Sequence, residues 1–432
     1  MLHRRNALSL VGSAAVAGLV GGGASPPARA AAAALPRAGR AEEAGLSTDR
    51  LGRIAGWLRD EVTANRIPGA VVVVGRKGQV AYEQAVGFRD RDSQAPMPAN
   101  AVFRIASMTK PFASLALMML AEEGRVMLWH PVSRYLPEFG DAVVGAERAA
   151  VIRPPTVQDL LRHTSGLTYA AGEGVAGANP VQRAYGEARV ANRDQTSAQF
   201  ITNLARLPLM YQPGTHWEYS HSTDVVGRIV EVVSGMDLDR FIRERISNPL
   251  GLTDTGFWAP PEAEGRVARA QVDPVTGRRQ SFPDALEKPQ WFSGGGGMVS
   301  TASDYARFCQ MLLNGGELGG TRIVSPKTIE LMTSNHLPPG TEYSPDLFSR
   351  FGGLAPSPVV GYGFGLGFEV RLEEGRSPVP GSVGDYSWGG AYGTYFWVDP
   401  KEGLYAVLML QGPSDRLQYR YAIRQLVYQA FS

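Results

Sequence analysis

Ser107 and Lys110 stand three residues apart in the run Phe103-Arg-Ile-Ala-Ser-Met-Thr-Lys-Pro-Phe-Ala-Ser-Leu-Ala-Leu-Met-Met-Leu, where an apolar-periodic stretch begins. That spacing puts a hydroxyl and an amine on one face of a helix's first turn. A serine becomes a strong nucleophile only with a base in hydrogen-bond reach, and here the base comes from the same turn. The helix N-terminus adds positive potential where negative charge would develop. Lysine is scarce: of Lys77, Lys110, Lys288, Lys327 and Lys401, only Lys110 has a serine three positions before it. Pro111 is tolerated in a first turn and damaging later, so the helix is expected to begin close to Ser107. The chemistry implied is acyl transfer through a covalent serine.

Three further clusters add to this pair. Pro213-Gly-Thr-His-Trp-Glu-Tyr-Ser-His-Ser-Thr-Asp-Val-Val-Gly sets Tyr219 on a loop just before a helix. A tyrosine near a lysine ammonium can accept and return a proton. In Tyr386-Ser-Trp-Gly-Gly-Ala-Tyr-Gly-Thr-Tyr-Phe-Trp-Val-Asp-Pro, Gly389 and Gly390 let a strand's backbone approach a substrate closely. The amide of Ala391 could then pair with that of Ser107 as an oxyanion hole. His163-Thr-Ser-Gly-Leu and Ser293-Gly-Gly-Gly-Gly-Met-Val-Ser-Thr read as tight turns supporting a cleft. The glycine run is not followed by the lysine of a phosphate-binding loop.

Other chemistries fare worse. His216 and His221 lack a third convergent ligand, so no metal is expected. A Ser-His-Asp triad using Asp224 would normally come with a Gly-x-Ser-x-Gly elbow, and the chain has none. No cofactor is required.

Taken together, these segments resemble the serine β-lactamase and penicillin-binding-protein superfamily, within it the class C β-lactamase-like branch and its family VIII carboxylesterase-like members. The resemblance runs from about residue 46 to the C-terminus. It implies that Ser107 is the nucleophile and Lys110 its base partner, from the family's Ser-x-x-Lys. Its Tyr-x-Asn matches Tyr219-Ser220-His221, with histidine in place of asparagine, and its Lys-Thr-Gly matches Trp388-Gly389-Gly390. His221, Trp388, Gly389 and Gly390 are thus the implied substrate-binding positions. In the family's β-lactamases and D,D-peptidases that second lysine helps hold a substrate carboxylate. Trp388 offers one indole N–H on a large apolar ring instead. Both departures disfavour carboxylate-bearing substrates by several kcal/mol and leave neutral esters nearly unaffected. The implied function is a serine hydrolase that cleaves carboxylic esters through an acyl-Ser107 intermediate, with acyl transfer to an alcohol as a variant. A β-lactamase or D,D-peptidase is the alternative. A non-catalytic binding protein on the same fold is disfavoured because Ser107, Lys110 and Tyr219 are all present. The expected partner is a small-molecule ester or acyl substrate.

The elements that must position these residues come from both ends of the chain. After a cap at Ser47-Thr48-Asp49, the helix carrying Leu51, Ile54, Leu58 and Val62 stops at Pro68-Gly69. Residues 70–82 read as two strands joined by a glycine turn. From about 120 to 312 the pattern is mostly helical with long loops, including Val157–Leu161, Ser197–Leu204, Val225–Gly235 and Leu238–Ile246. Strand character returns at Gly363–Val370, Gly381–Gly389, Tyr392–Val398 and Leu404–Leu410, and an amphipathic helix closes the chain over 416–431. Early and late strands have no partners in between. The economical fold is therefore α+β: one antiparallel sheet built from both chain ends, helices packed on it, and an inserted, mostly helical subdomain. The boundaries expected are 46–115 with 295–432 for the sheet subdomain and 116–294 for the helical one, within a single catalytic domain over 46–432. Trp217, Trp291, Trp388, Tyr392 and Tyr395 are candidates for an apolar pocket wall, and the loop over 168–195 for a cover on the cleft.

The 432 residues, 44% apolar and 19% charged, are those of an ordinary globular protein. A net charge of +2 with no basic stripe argues against nucleic acid. Residues 1–30 read as an export signal: basic Met1-Leu-His-Arg-Arg, a mildly apolar stretch from Ala7 to Val20, and the small-x-small site Ala28-Arg29-Ala30. The apolar stretch is too short for a stable membrane span. Arg4-Arg5 resembles a twin-arginine signal, and the expected location is periplasmic or secreted. Removing that segment takes away Arg4, Arg5 and Arg29 and no acid, turning the net charge from +2 to −1. Residues 31–45, alanine-rich with proline, read as a linker. Cys309, the only cysteine, allows no intramolecular disulfide and sits in a helical pattern as a small hydrophobe.

Overall fold

A computed structural model describes residues 34–432 apart from 171–178, 275, 346, 348–355 and 414. The export signal expected at 1–30 lies outside them. Strand β1 (Gly69–Arg76) is an unbroken apolar run because both of its faces are buried. Val71 and Val73 enter one hydrophobic core; Ala70, Val72 and Val74 enter another. This is strand alternation serving two interiors. On one side β1 pairs with β2 (Gln79–Asp90), and β3 (Ala95–Pro96) follows at that edge. The late strands are β4 (Tyr362–Phe364), β5 (Glu369–Arg371), β6 (Tyr386–Gly389), β7 (Tyr395–Asp399) and β8 (Leu404–Met409). The sheet has eight strands in the order β4-β5-β6-β7-β8-β1-β2-β3, all pairs antiparallel, with Val71 of β1 opposite Met409 of β8. The expected joining of the chain ends is what the structure contains.

Helix α1 (Thr48–Thr63) is capped by the Ser47 side chain and buries Leu51, Ile54, Leu58 and Val62 on one face of the sheet. Helix α2 (Lys110–Glu122) is buried from Lys110 to Leu120, as befits a helix apolar on every side. With α3 (Ser222–Ser234) and α4 (Ala302–Leu313) it fills the core on the opposite face. Cys309 lies buried in α4. Helix α5 (Arg416–Tyr428) packs beside α1. The middle of the chain adds short helices, among them Val157–Leu161, Pro180–Glu187 and Ser197–Ala205. Their apolar side chains join the α2 core, so sheet and helical parts share one interior.

Several expectations need correction. Residues 34–45 are docked, not a tether: Val80 N donates to Pro36 O at 2.8 Å, and Ala41 and Ala44 are buried. Alanine-rich composition does not separate a tether from close packing. Gly363–Val370 is two strands, β4 and β5, because Gly367 turns the chain at φ +101° and a Cβ on Gly365 would stand 2.2 Å from the Met332 carbonyl. β6 begins only at Tyr386 and β7 only at Tyr395, since Gly384 and Gly393 adopt positive φ. The helix from Leu238 is α-helical to Ile242 and then widens into a π turn over Arg243–Ser247.

One buried charge cluster braces β5, β6 and α5. Asp385, fully buried, accepts Arg424 Nη2 at 2.9 Å and Nη1 at 3.0 Å, and Arg371 Nε lies 2.9 Å from the same carboxylate. Such a group is tolerated in an interior because its charge and lone pairs are both met.

Candidate active site

Ser107 lies on a single 3₁₀ turn, Ala106–Thr109, that leads straight into α2, with Pro111 in the first α turn as expected. Ala106 takes φ +44°, a costly conformation for a residue with a Cβ, held by anchors on all sides. Ile105 N donates to Met298 O, Met298 N to Thr109 Oγ1, and Tyr305 Oη to Met108 O. Ala106, Met108 and Thr109 are buried, whereas Ser107 keeps partial exposure. The amide of Ser107, in a first turn, has no intrahelical partner.

Lys110 is 1% exposed and directs its amine to three oxygens: Ser107 Oγ at 3.3 Å, Tyr169 Oη at 3.1 Å and Gly295 O at 2.6 Å. Its Nζ also lies 4.5 Å from the centroid of the Tyr219 ring. The structure thus gathers Ser107, Lys110 and Tyr219 and adds Tyr169, which the sequence did not single out. Tyr169 follows His163-Thr-Ser-Gly-Leu by two residues, and no spacing links it to Lys110. Burial, followed by the neighbouring Tyr219 and Asp224, holds the Tyr169 phenol well above its usual pKa, so it stays protonated.

Tyr219 and Trp388 meet across the cleft. Trp388 Nε1 donates to Tyr219 Oη at 3.3 Å with the rings tilted by 66°. Trp388 therefore has its single donor engaged. His163, treated above as scaffold, packs edge-on against Tyr219 at 5.0 Å and also touches Trp217 and Phe364. Burial first, then the charge of Lys110, keeps the imidazole well below its usual pKa and neutral. Of the aromatic pocket candidates, Tyr395 points to the opposite face, where its hydroxyl accepts Arg424 Nε at 2.9 Å. Trp217 is buried beneath Tyr219.

His221 sits at the start of α3 with Nδ1 2.9 Å from Asp224 Oδ2, and its ring lies against Tyr169 and Phe200. The other Asp224 oxygen accepts Ser293 Oγ at 2.5 Å and Gly295 N at 2.9 Å. Gly295 in turn offers its carbonyl to Lys110. The glycine run is therefore a fixed rung between a buried carboxylate and the lysine. Among the described residues no cluster of ligands suits a metal ion.

At the end of β6, Gly389 and Gly390 serve close approach. A Cβ on Gly389 would stand 2.1 Å from Arg420 Nη2, and one on Gly390 2.4 Å from the Ile105 carbonyl. Thr394 Oγ1 also donates to Ile105 O. These contacts bring the 390–391 backbone beside the turn that carries Ser107, with Ala391 exposed. A cavity of about 280 Å³ opens next to this turn, lined among others by Arg104, Phe257, Lys288, Gly297 and Tyr392. Part of the loop expected to cover the cleft, 171–178, lies outside the described residues.

The His163 turn is braced by Asp159, which accepts Arg153, Arg162, Thr164 Oγ1 and the Thr156 amide. Burial alone would raise the pKa of this carboxyl, but Arg153, the Thr156 amide and Arg162 overcome it and hold it at about 2. A depressed carboxyl stabilises the fold above its unfolded pKa and loses that contribution as pH falls through the folded value. Asp159→Asn should then cost about 2 kcal/mol at pH 7 and flatten the loss of stability between about pH 4 and 2. Urea midpoints at pH 7 and pH 3 measure this, and an unchanged difference between the two midpoints rules it out.

The chain resembles known proteins along almost its whole length. A family model described as β-lactamase matches residues 54–429. Protein Rv1367c of Mycobacterium tuberculosis is 35% identical over 371 residues, 83% of this chain and 89% of its own. Esterase EstB of Burkholderia gladioli is 30% identical over 390 residues, 84% of this chain and 91% of its own. The solved structure of EstCE1, described as a hydrolase with promiscuous acyltransferase activity, superposes with a TM-score of 0.73 at 27% identity, over 89% of this chain and 99% of that one.

Proposed function

The chain belongs to the β-lactamase family, and on that premise we propose that it is an exported serine esterase working through an acyl-Ser107 intermediate. Ser107 Oγ attacks the ester carbonyl while the Lys110–Tyr219 pair, sharing one proton between amine and phenol, takes the serine proton and hands it to the departing alcohol. The amides of Ser107 and Ala391 hold the tetrahedral oxyanion. Water, or an acceptor alcohol, then takes the acyl group from Ser107. His221, Trp388, Gly389 and Gly390 border the substrate. The observation that carries this reading is the meeting of Lys110 Nζ with Ser107 Oγ at 3.3 Å under the Tyr219 ring.

An ester is favoured over a β-lactam or peptide because Trp388, where related β-lactamases have lysine, brings no charge and has its N–H on Tyr219. The resemblance to EstB supports the same choice, and the description of EstCE1 supports acyl transfer as a side reaction. The test sets p-nitrophenyl butyrate beside nitrocefin, with labelling by a fluorophosphonate. Ester cleavage with slow nitrocefin turnover and a single adduct on Ser107 is the expected result. Fast nitrocefin hydrolysis moves the protein to the β-lactamase side, and failure to label Ser107 ends the covalent reading. Export is proposed from residues 1–30, and a mature N-terminus at residue 31 in the exported fraction checks it.

A further inference from the structure

Asp224, buried in the first turn of α3, meets donors at both of its carboxylate oxygens. His221 Nδ1 lies 2.9 Å from Oδ2, while Ser293 Oγ at 2.5 Å and Gly295 N at 2.9 Å donate to Oδ1. Burial alone would raise the pKa of this carboxyl, but His221, then Ser293 and the charge of Lys110, hold it below its usual value. An ionised carboxylate only accepts, so His221 carries a proton on Nδ1.

The glycine lets the carboxylate come this close: a Cβ on Gly295 would stand 2.6 Å from Asp224 Oδ2. Gly295 in turn offers its carbonyl to Lys110 Nζ at 2.6 Å, the shortest of that amine's bonds to Gly295, Tyr169 and Ser107. A lysine stem has many rotamers, and fixed acceptors select the one that keeps the amine 3.3 Å from Ser107 Oγ. Tyr169 is tied into the same arrangement. Its hydroxyl stands 3.1 Å from Lys110 Nζ, and its ring meets the buried His221 ring edge-on at 4.5 Å. His221 therefore touches two supports of the base, Asp224 through its N–H and Tyr169 through its ring.

We propose that Asp224 and His221 are positioning residues for the general base. His221 fixes Asp224, Asp224 fixes Gly295, and the Gly295 carbonyl fixes the Lys110 amine beside Ser107. This rests on the acyl-Ser107 reading above and deepens it, because the histidine standing where the family has asparagine acquires a task behind the base. Their action is on the reacting geometry, so their loss is read in kcat and not in KM.

The test measures p-nitrophenyl butyrate hydrolysis and the rate of fluorophosphonate labelling at Ser107, with melting curves to confirm folded variants. Asp224→Ala should lower kcat, kcat/KM and the labelling rate together by about 10²-fold, the scale of a base displaced by about 1 Å, with KM within about twofold. His221→Leu should lower the same three at least about tenfold. The decisive pair is His221→Asn and His221→Gln. The Asn amide places an N–H near the position of Nδ1 and should restore most of the rate, whereas the Gln amide reaches the position of Nε2 and should not. This pair decides the matter even if Asp224→Ala fails to fold. The proposal is overturned if His221→Gln restores activity and His221→Asn does not, which would make His221 a substrate contact through Nε2. It is equally overturned if the losses fall in KM, or if the labelling rate is unchanged. A native enzyme that neither labels nor cleaves the ester overturns the acyl-serine reading as well; one that does both while its variants keep pace overturns the positioning alone.

Discussion

Ser107→Ala lowers kcat/KM for p-nitrophenyl butyrate by about 10⁴-fold or more and leaves the melting temperature unchanged. The size follows from removing the one atom that forms the covalent bond. What remains is the oxyanion amides and the binding surface, which in other acyl-transfer enzymes retain a small residual acceleration. The unchanged stability follows from the contacts: Lys110 keeps Tyr169 and Gly295 when it loses the Ser107 hydroxyl. The same variant should give no fluorophosphonate adduct. Activity within tenfold of the native enzyme would show that another nucleophile does the work.

Asp385→Asn is expected to destabilise the fold by about 3–5 kcal/mol, because it removes the counter-charge from Arg371 and Arg424 inside the protein. Arg424 is 1% exposed and cannot turn to solvent without unpacking α5. A fall in melting temperature of at least about 5 °C at pH 7 is the corresponding observable in a chain of this size. A change below about 1 kcal/mol would mean that the carbonyls of Val379 and Pro380, which already accept from Arg371 and Arg424, suffice to hold the two guanidiniums.

Local patterns carried the fold a long way. The valine run and the late alternating segments marked strands that needed one another, and Ser107, Lys110 and Pro111 fixed where a helix starts through their own chemistry. The errors in the strand boundaries came from glycine. Gly367, Gly384 and Gly393 each bend the chain through positive φ, and in a string of letters a turning glycine looks like one that lies flat in a strand. The site was legible wherever its residues are neighbours in sequence. Tyr169, the Asp224–Gly295 rung and the arginines of α5 were not, because each acts through a contact across the fold with no spacing rule to announce it. His221 beside Asp224 was visible as a pair, but the hydrogen bond joining it to the glycine run was not.

The register of β1 against β8 also sets a timetable. Val71 can find Met409 only after nearly the whole chain has been synthesised, and until then the early hairpin, with α1 on one face, shows an open edge. Loop closure on that scale is slow, and an exposed valine edge in the meantime invites association with other chains. The nascent protein therefore depends on being shielded through most of its synthesis. A premature stop anywhere before β8 leaves the first strands without a sheet to join, so that losing the last few dozen residues is as damaging as losing the catalytic turn itself.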